Sequence, residues 1–181
     1  MRLFAAIDIS ADVAEALRAF VSRLRPSAEI GWSPVENLHV TTKFIGDWPE
    51  RRLDEMKRVL ALVPVSGPIE ITVKGLGWFP NPRRPRVFWA GVDGGERLRD
   101  LARATQQALA GLGVPAEERE YSPHLTLARI RETVALDGLR TALESFPAEF
   151  RFDFGSFRAP QFFLYLSAGG KYTQLAGFPL E

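Results

Sequence analysis

Apolar positions recur along this chain with two periods, and the switches between them mark its elements. Residues 2 to 8 form a short apolar run that stops at Asp8, and Ser10 follows as a helix N-cap. Val13, Leu17, Phe20, Val21 and Leu24 then share one helical face up to Pro26. The β-branched run Leu38 to Ile45, closed by Gly46, predicts a strand. Asp47 with Glu50 three residues on predicts a capped helix whose stripe is Leu53, Met56, Leu60 and Val63. Ile69 to Lys74 alternates as a strand, Gly75 to Arg86 reads as a loop, and Val87 to Val92 as a buried strand. Asp93 with Glu96 opens a third helix, which carries Leu98, Leu101, Thr105, Ala108, Leu109 and Leu112 to Gly113. A polar loop from 116 to 121 precedes a strand from Pro123 to Ala128. Leu139, Leu143 and Phe146 mark a fourth helix; Phe150, Phe152 and Phe154 alternate as a strand ending at Gly155. Gln161 to Ser167 and Tyr172 to Phe178 complete the chain as strands.

The order repeats. Val13 and Leu98, the first apolar residues of two helices, each lie 26 residues before a histidine (39 − 13 and 124 − 98). Their proposed caps, Ser10 and Asp93, match less closely, at 29 and 31 residues. The next helix is expected near Trp48 and Thr133, 9 residues after each histidine. Gly75 and Pro80 are matched by Gly155 and Pro160, each pair preceding an aromatic strand. The pattern predicts one domain, 1–181, built from an internal repeat of about 10–92 and 93–167.

Composition narrows the chemistry. At 181 residues, 46% hydrophobic and 25% charged, the chain has the profile of a globular domain. Lys and Arg total 23 against 22 Asp and Glu, so no global charge draws it to nucleic acid or anionic lipid. No segment approaches the roughly 20 apolar residues of a membrane span, and the N-terminus lacks a secretory pattern, so a cytoplasmic protein is expected, with monomer as the default oligomeric state. The absence of cysteine removes disulfides, thiolate nucleophiles and iron–sulfur sites. The chain has only two histidines, the side chains that ordinarily titrate near neutral pH.

Both stand in one tripeptide pattern, His39-Val40-Thr41 and His124-Leu125-Thr126. In a strand, residues i and i+2 share a face, so each copy presents an imidazole beside a hydroxyl and turns the apolar residue inward. A lone strand histidine is most often structural. With 8 Thr in 181 positions, Thr two residues after both histidines is roughly a 0.2% coincidence, which favours function. If a two-fold axis relates the copies, two imidazoles face each other as general acid and base, and two hydroxyls can donate to one phosphate. A metal site fits less well, because two histidines need a third ligand and neither motif has a carboxylate at ligand spacing.

With these motifs the chain resembles the two-histidine phosphoesterase superfamily, and within it the bacterial and archaeal RNA 2′,3′-cyclic phosphodiesterases formerly called 2′-5′ RNA ligases. The resemblance includes Met1-Arg2-Leu3-Phe4-Ala5-Ala6-Ile7-Asp8 and Leu38-His39-Val40-Thr41-Thr42-Lys43-Phe44-Ile45-Gly46. It continues through Pro85-Arg86-Val87-Phe88-Trp89-Ala90-Gly91-Val92, Pro123-His124-Leu125-Thr126-Leu127-Ala128-Arg129 and Tyr172-Thr173-Gln174-Leu175-Ala176-Gly177-Phe178-Pro179-Leu180. It implies an α+β fold of two pseudo-symmetric lobes, each an antiparallel sheet backed by helices, around a central groove. It further implies hydrolysis of RNA 2′,3′-cyclic phosphate ends to 2′-phosphates, with no metal or cofactor. His39 would protonate the departing ribose oxygen, His124 would activate water, and Thr41 and Thr126 would hold the nonbridging oxygens. From the residues alone, the symmetry leaves acid and base interchangeable.

Four further expectations concern the surroundings. Alternation puts Lys43 on the face of His39 and Thr41, within reach of phosphate. The family places a phosphate-holding arginine at Arg129, which alternation would turn away from His124 unless a bulge intervenes. Arg83, Arg84 and Arg86 can contact an RNA backbone or simply be solvated. Trp32, Phe79, Trp89 and Tyr165 can stack on bases, although core positions account for most such aromatics. Two other functions compete: 2′-5′ ligation, with an RNA hydroxyl replacing water, and non-catalytic binding of RNA ends. Two titrating groups in matched positions argue against pure binding.

Overall fold

A computed structural model describes residues 1–65, 67–131 and 133–180. Within them, nine strands and four α-helices follow one another as β1 (Arg2–Asp8), α1 (Ala11–Leu24), β2 (Gly31–Trp32), β3 (His39–Asp47), α2 (Leu53–Ala61), β4 (Ile69–Phe79) and β5 (Val87–Asp93). The chain then continues through α3 (Gly95–Ala110), β6 (His124–Arg129), α4 (Asp137–Glu144), β7 (Asp153–Ala159), β8 (Gln161–Ala168) and β9 (Lys171–Pro179). Two antiparallel sheets result, with strand orders β3-β1-β8-β9 and β2-β6-β5-β4-β7. The fold is α+β. Each sheet draws strands from both sequence spans 10–92 and 93–167, so the sheets are not the products of successive halves of the chain.

The strands with the most continuous apolar sequence lie inside the first sheet. Leu3 to Ile7 of β1 and Phe162 to Tyr165 of β8 are buried without interruption, since both faces of these strands are covered. Helix α1 buries Val13, Leu17, Phe20, Val21 and Leu24, the stripe its spacing predicts, and Ser10 Oγ accepts the Val13 N–H at 3.3 Å as its cap. It lies against β7 and α4, whereas α3 lies against β3 and α2.

Several elements depart from their sequence signals. Gly75 does not end β4: at φ +82° it makes a bulge, and the strand runs on to Phe79. Asp47 does not cap α2 but pairs with Arg2 at the end of β3, and a short 3-10 turn, Glu50–Arg52, leads into the helix instead. Asp93 Oδ1 accepts the Gly95 N–H at 2.9 Å, a local turn, and the cap of α3 is Gly94. The helices after the histidines begin at Leu53 and Asp137 rather than near Trp48 and Thr133. Phe150 and Phe152 do not belong to a strand. Phe150 closes a 3-10 turn and Phe152 is left-handed at φ 50°, and the spacing arises because their rings, with Phe146 and Phe154, all pack around Phe20 at 5.0–6.2 Å.

The sheets meet along β3 and β6, which approach without pairing. β3 is an edge strand, and β2 covers β6 only at Ala128 and Arg129, so the histidine-bearing end of β6 is open as well. Tyr121, just before β6, donates its hydroxyl to the Thr41 carbonyl at 2.9 Å and ties the entry of one motif strand to the other. Burial pushes the Tyr121 hydroxyl pKa well up, so it remains a donor at any working pH.

Candidate active site

The two motif strands have the same local construction. In β3, Ala5 and Ala6 of β1 face Lys43 and Thr41, leaving Thr42 as an extra residue; in β6, Phe88 and Trp89 of β5 face Ala128 and Thr126, leaving Leu127 extra. Both strands accordingly show one burial sequence, in which the first and third residues are half-buried, the second, fourth and fifth buried, and the sixth exposed. His39 and Thr41 therefore share a face, as do His124 and Thr126, with Val40 and Leu125 fully buried behind them.

The shared bulge settles the two flanking residues in opposite ways. Arg129 comes round to the face of His124 and Thr126, the condition its assignment required. Lys43 is turned away from His39, contrary to the expectation from simple alternation. Only 3% exposed, it donates through Nζ to the Pro115 carbonyl at 2.8 Å, with Glu117 Oε1 at 3.3 Å and Gln106 Oε1 at 3.4 Å. Its place on the face of His39 and Thr41 is taken by Phe44, 61% exposed. Lys43 thus holds the loop after α3. Lys43→Ala is expected to cost about 1–3 kcal/mol, because a buried side chain and its charge-assisted hydrogen bonds to the loop are lost. Turnover by the folded fraction should stay within about threefold of wild type. Thermal melts and initial rates measured together check this, and an intact melting temperature with lost turnover would contradict it.

Each histidine is locked in the same manner. Nδ1 of His39 lies 3.0 Å from the Asn37 carbonyl, and Nδ1 of His124 lies 2.8 Å from the Ser122 carbonyl. A carbonyl only accepts, so Nδ1 carries hydrogen in both rings and Nε2 is the nitrogen left for chemistry. Aromatic floors match too. Tyr165 faces β1 at Phe4 as Phe79 faces β5 at Val87, and these rings lie 4.5 Å from His39 and 5.0 Å from His124.

The environments differ in charge. Asp8, paired with His39 across β1 and β3, places Oδ1 3.4 Å from His39 Nε2, and the corresponding partner of His124 is Gly91. Burial lowers the His39 pKa from 6.5, while the Asn37 carbonyl and the Asp8 carboxylate pull it back up. Burial also lowers that of His124; the Ser122 carbonyl opposes this and the Arg129 guanidinium adds to it.

Of the four aromatics singled out, Phe79, Trp89 and Tyr165 flank the histidines, with Trp89 6.4 Å from His124. Trp32 packs edge-on to Phe88 and bonds the Ala28 carbonyl. Asn81 Oδ1 accepts the backbone N–H groups of Arg83 and Arg84, exposed in the β4–β5 loop, and Arg86 donates to the Arg131 carbonyl. Asp8 and Tyr121 carried no sequence signal of function, because their roles depend on strand register and on how the sheets meet. Among the described residues no group of three or more His, Asp or Glu side chains is arranged to hold a metal ion. A surface cleft of about 360 Å³ beside α2 and β9 contains neither histidine. No helix among the described residues is long and apolar enough to cross a membrane.

Known proteins resemble this chain in sequence and in fold. The RNA 2′,3′-cyclic phosphodiesterase of Methanocaldococcus jannaschii is 35% identical over 167 residues, 92% of this chain and 91% of that protein. A protein structure from Thermus thermophilus superposes with a TM-score of 0.79 at 28% identity, covering 99% of this chain and 98% of that one. The LigT protein of Escherichia coli, solved with 3′-AMP, gives 0.77 at 25% identity over 99% and 97%. With the model of the 2′-5′ RNA ligase superfamily matching residues 13–159 and both histidine motifs inside that span, the chain belongs to the 2′-5′ RNA ligase superfamily.

Proposed function

We propose that this protein hydrolyses RNA 2′,3′-cyclic phosphate ends, or the corresponding cyclic nucleotides, to 2′-phosphates without metal, His39 acting as general acid and His124 as general base. The observation that best supports this reading is the repeated strand construction, in which each of two meeting sheet edges offers an imidazole with Nδ1 held by a backbone carbonyl, beside a threonine hydroxyl. His124 Nε2 takes a proton from water as the water oxygen bonds to phosphorus. The bond from phosphorus to the ribose 3′ oxygen breaks, and His39 Nε2 gives its proton to that oxygen. Thr41 and Thr126 donate hydrogen bonds to the nonbridging oxygens, which gain charge as the five-coordinate state forms, and Arg129 offsets that charge. Relatives named RNA 2′,3′-cyclic phosphodiesterase support the substrate class.

Product analysis tests the reading. An oligonucleotide ending in a 2′,3′-cyclic phosphate, incubated in chelator, should yield a 2′-phosphate and a free 3′ hydroxyl. Exclusive 3′-phosphate would contradict the assigned leaving oxygen. If an RNA bearing a 5′ hydroxyl is added and joined product predominates over hydrolysis, ligation replaces hydrolysis as the principal reaction.

A further inference from the structure

The two histidines share a strand motif, a bulge and a carbonyl lock, so something outside the motif must decide which of them holds the proton. For His124, one ring nitrogen faces an acceptor, the Ser122 carbonyl, and the nearby charge is the Arg129 cation. A neutral imidazole satisfies that arrangement. For His39, both nitrogens face oxygens: Nδ1 the Asn37 carbonyl at 3.0 Å and Nε2 the Asp8 carboxylate at 3.4 Å. A neutral ring has one N–H and can satisfy only one of them, whereas an imidazolium satisfies both.

Asp8 is itself held. The Tyr165 hydroxyl donates to Oδ1, the same oxygen that faces His39, and the Tyr165 ring lies 4.5 Å from the imidazole. Tyr172 of β9 is a further titratable side chain packed close to the His39 ring, at 5.9 Å, while His124 and Arg129 lie on β6, the strand that approaches β3. Burial and the carboxylate push the Tyr165 pKa well up, so Tyr165 stays protonated and remains a donor to Asp8. At the position matching Asp8 across the pseudo-symmetry stands Gly91, and at that of Tyr165 stands Phe79, which has no hydroxyl.

We propose that Asp8, anchored by Tyr165, is a positioning residue that reserves the proton for His39 and so fixes acid and base within a nearly symmetric pair. This rests on the hydrolytic reading above. It gives β1 a share in the site, and makes the departure from symmetry at Asp8 and Gly91 the origin of which histidine is acid and which is base.

Because the chain has only two histidines, their imidazole signals can be followed separately by NMR, with His39→Ala and His124→Ala giving the assignments. In the substrate-free protein, Asp8→Asn is expected to lower the His39 titration midpoint by about one pH unit, a tenfold weaker hold on the proton. His124 should move by less than about a quarter of that. The basic limb of the profile of kcat/KM against pH should fall by the same interval as His39, with KM little changed. Tyr165→Phe keeps the carboxylate and the ring, so its His39 shift should be smaller than that of Asp8→Asn. An unmoved His39 midpoint in Asp8→Asn, or equal shifts at both histidines, would overturn the proposal while leaving the hydrolytic reading intact. A shifted midpoint combined with turnover indifferent to His39→Ala would sink the hydrolytic reading, and the catalytic role of Asp8 with it.

Discussion

His39→Ala and His124→Ala are each expected to lower kcat/KM for an RNA 2′,3′-cyclic phosphate by about 10²–10⁴-fold, the range that general acid or base catalysis supplies. The two losses should not multiply in the double variant. In the proposed mechanism, proton delivery to the 3′ oxygen and proton removal from water serve one displacement at phosphorus, so once either fails the other has little left to accelerate. The folded state should survive, because the contacts forfeited are one ring and its Nδ1–H bond to a carbonyl in each lobe, with the Asp8 carboxylate in addition at His39. Binding of a nucleotide 2′-phosphate should weaken far less than turnover, since Thr41, Thr126 and Arg129 remain. Rates and melting temperatures of the three variants check this. Wild-type turnover in both single variants would remove the histidines from the chemistry.

Gly77→Ala is expected to have the next largest effect, although residue 77 carries no chemistry. Matching positions in the two sheets fill the same space in opposite ways. In the first sheet Ala6 pairs with Phe163, and in the second Trp89 pairs with Gly77. The indole of Trp89 lies over Gly77 so closely that an added Cβ would fall 1.9 Å from the ring. The indole must swing away, at a cost of about 1–3 kcal/mol as for other overpacked sites. Trp89 pairs with Thr126 on β6 and lies 6.4 Å from His124, so the displaced ring disturbs the face of His124 and Thr126 as well. A lower melting temperature together with roughly tenfold lower turnover is expected, which Trp89→Leu, with a smaller side chain, should partly restore in the Gly77→Ala background. A Gly77→Ala protein with unchanged stability and rate would contradict this account of the packing.

What the sequence made legible was mostly local. The α1 stripe and its Ser10 cap, the buried runs of β1 and β8, and the pairing of histidine with threonine on one face all follow from periodicities along a single element. Where two elements must be combined, periodicity loses its hold. Lys43 and Arg129 exchanged faces because one extra residue in each motif strand shifts the register against its partner, and nothing in the residues Thr42 and Leu127 announces a bulge. The phenylalanines at 150, 152 and 154 imitate a strand because a cluster around Phe20 selects the same spacing that a sheet would. Gly75 has the signature of a stop but acts as a bend within β4. Asp8 was hidden for the same reason as the bulges: its relation to His39 exists only through the pairing of β1 with β3. The chemistry-bearing types could be read from the chain, whereas the contacts that set their charge required the fold.

The dependence of kcat/KM on pH, measured on a cyclic-phosphate substrate in the presence of chelator, tests the paired-histidine mechanism most directly. The proposed mechanism needs His124 neutral and His39 protonated in the free enzyme, so activity should fall as pH drops through the His124 pKa and fall again as pH rises through that of His39. Burial lowers both from 6.5, which displaces both limbs toward acid. The expected result is a bell with its maximum below pH 6.5 and a tenfold loss per unit on each side, unchanged by chelator. A rate that climbs steadily between about pH 5 and 9, or that disappears when metal is removed, would contradict catalysis by the two histidines.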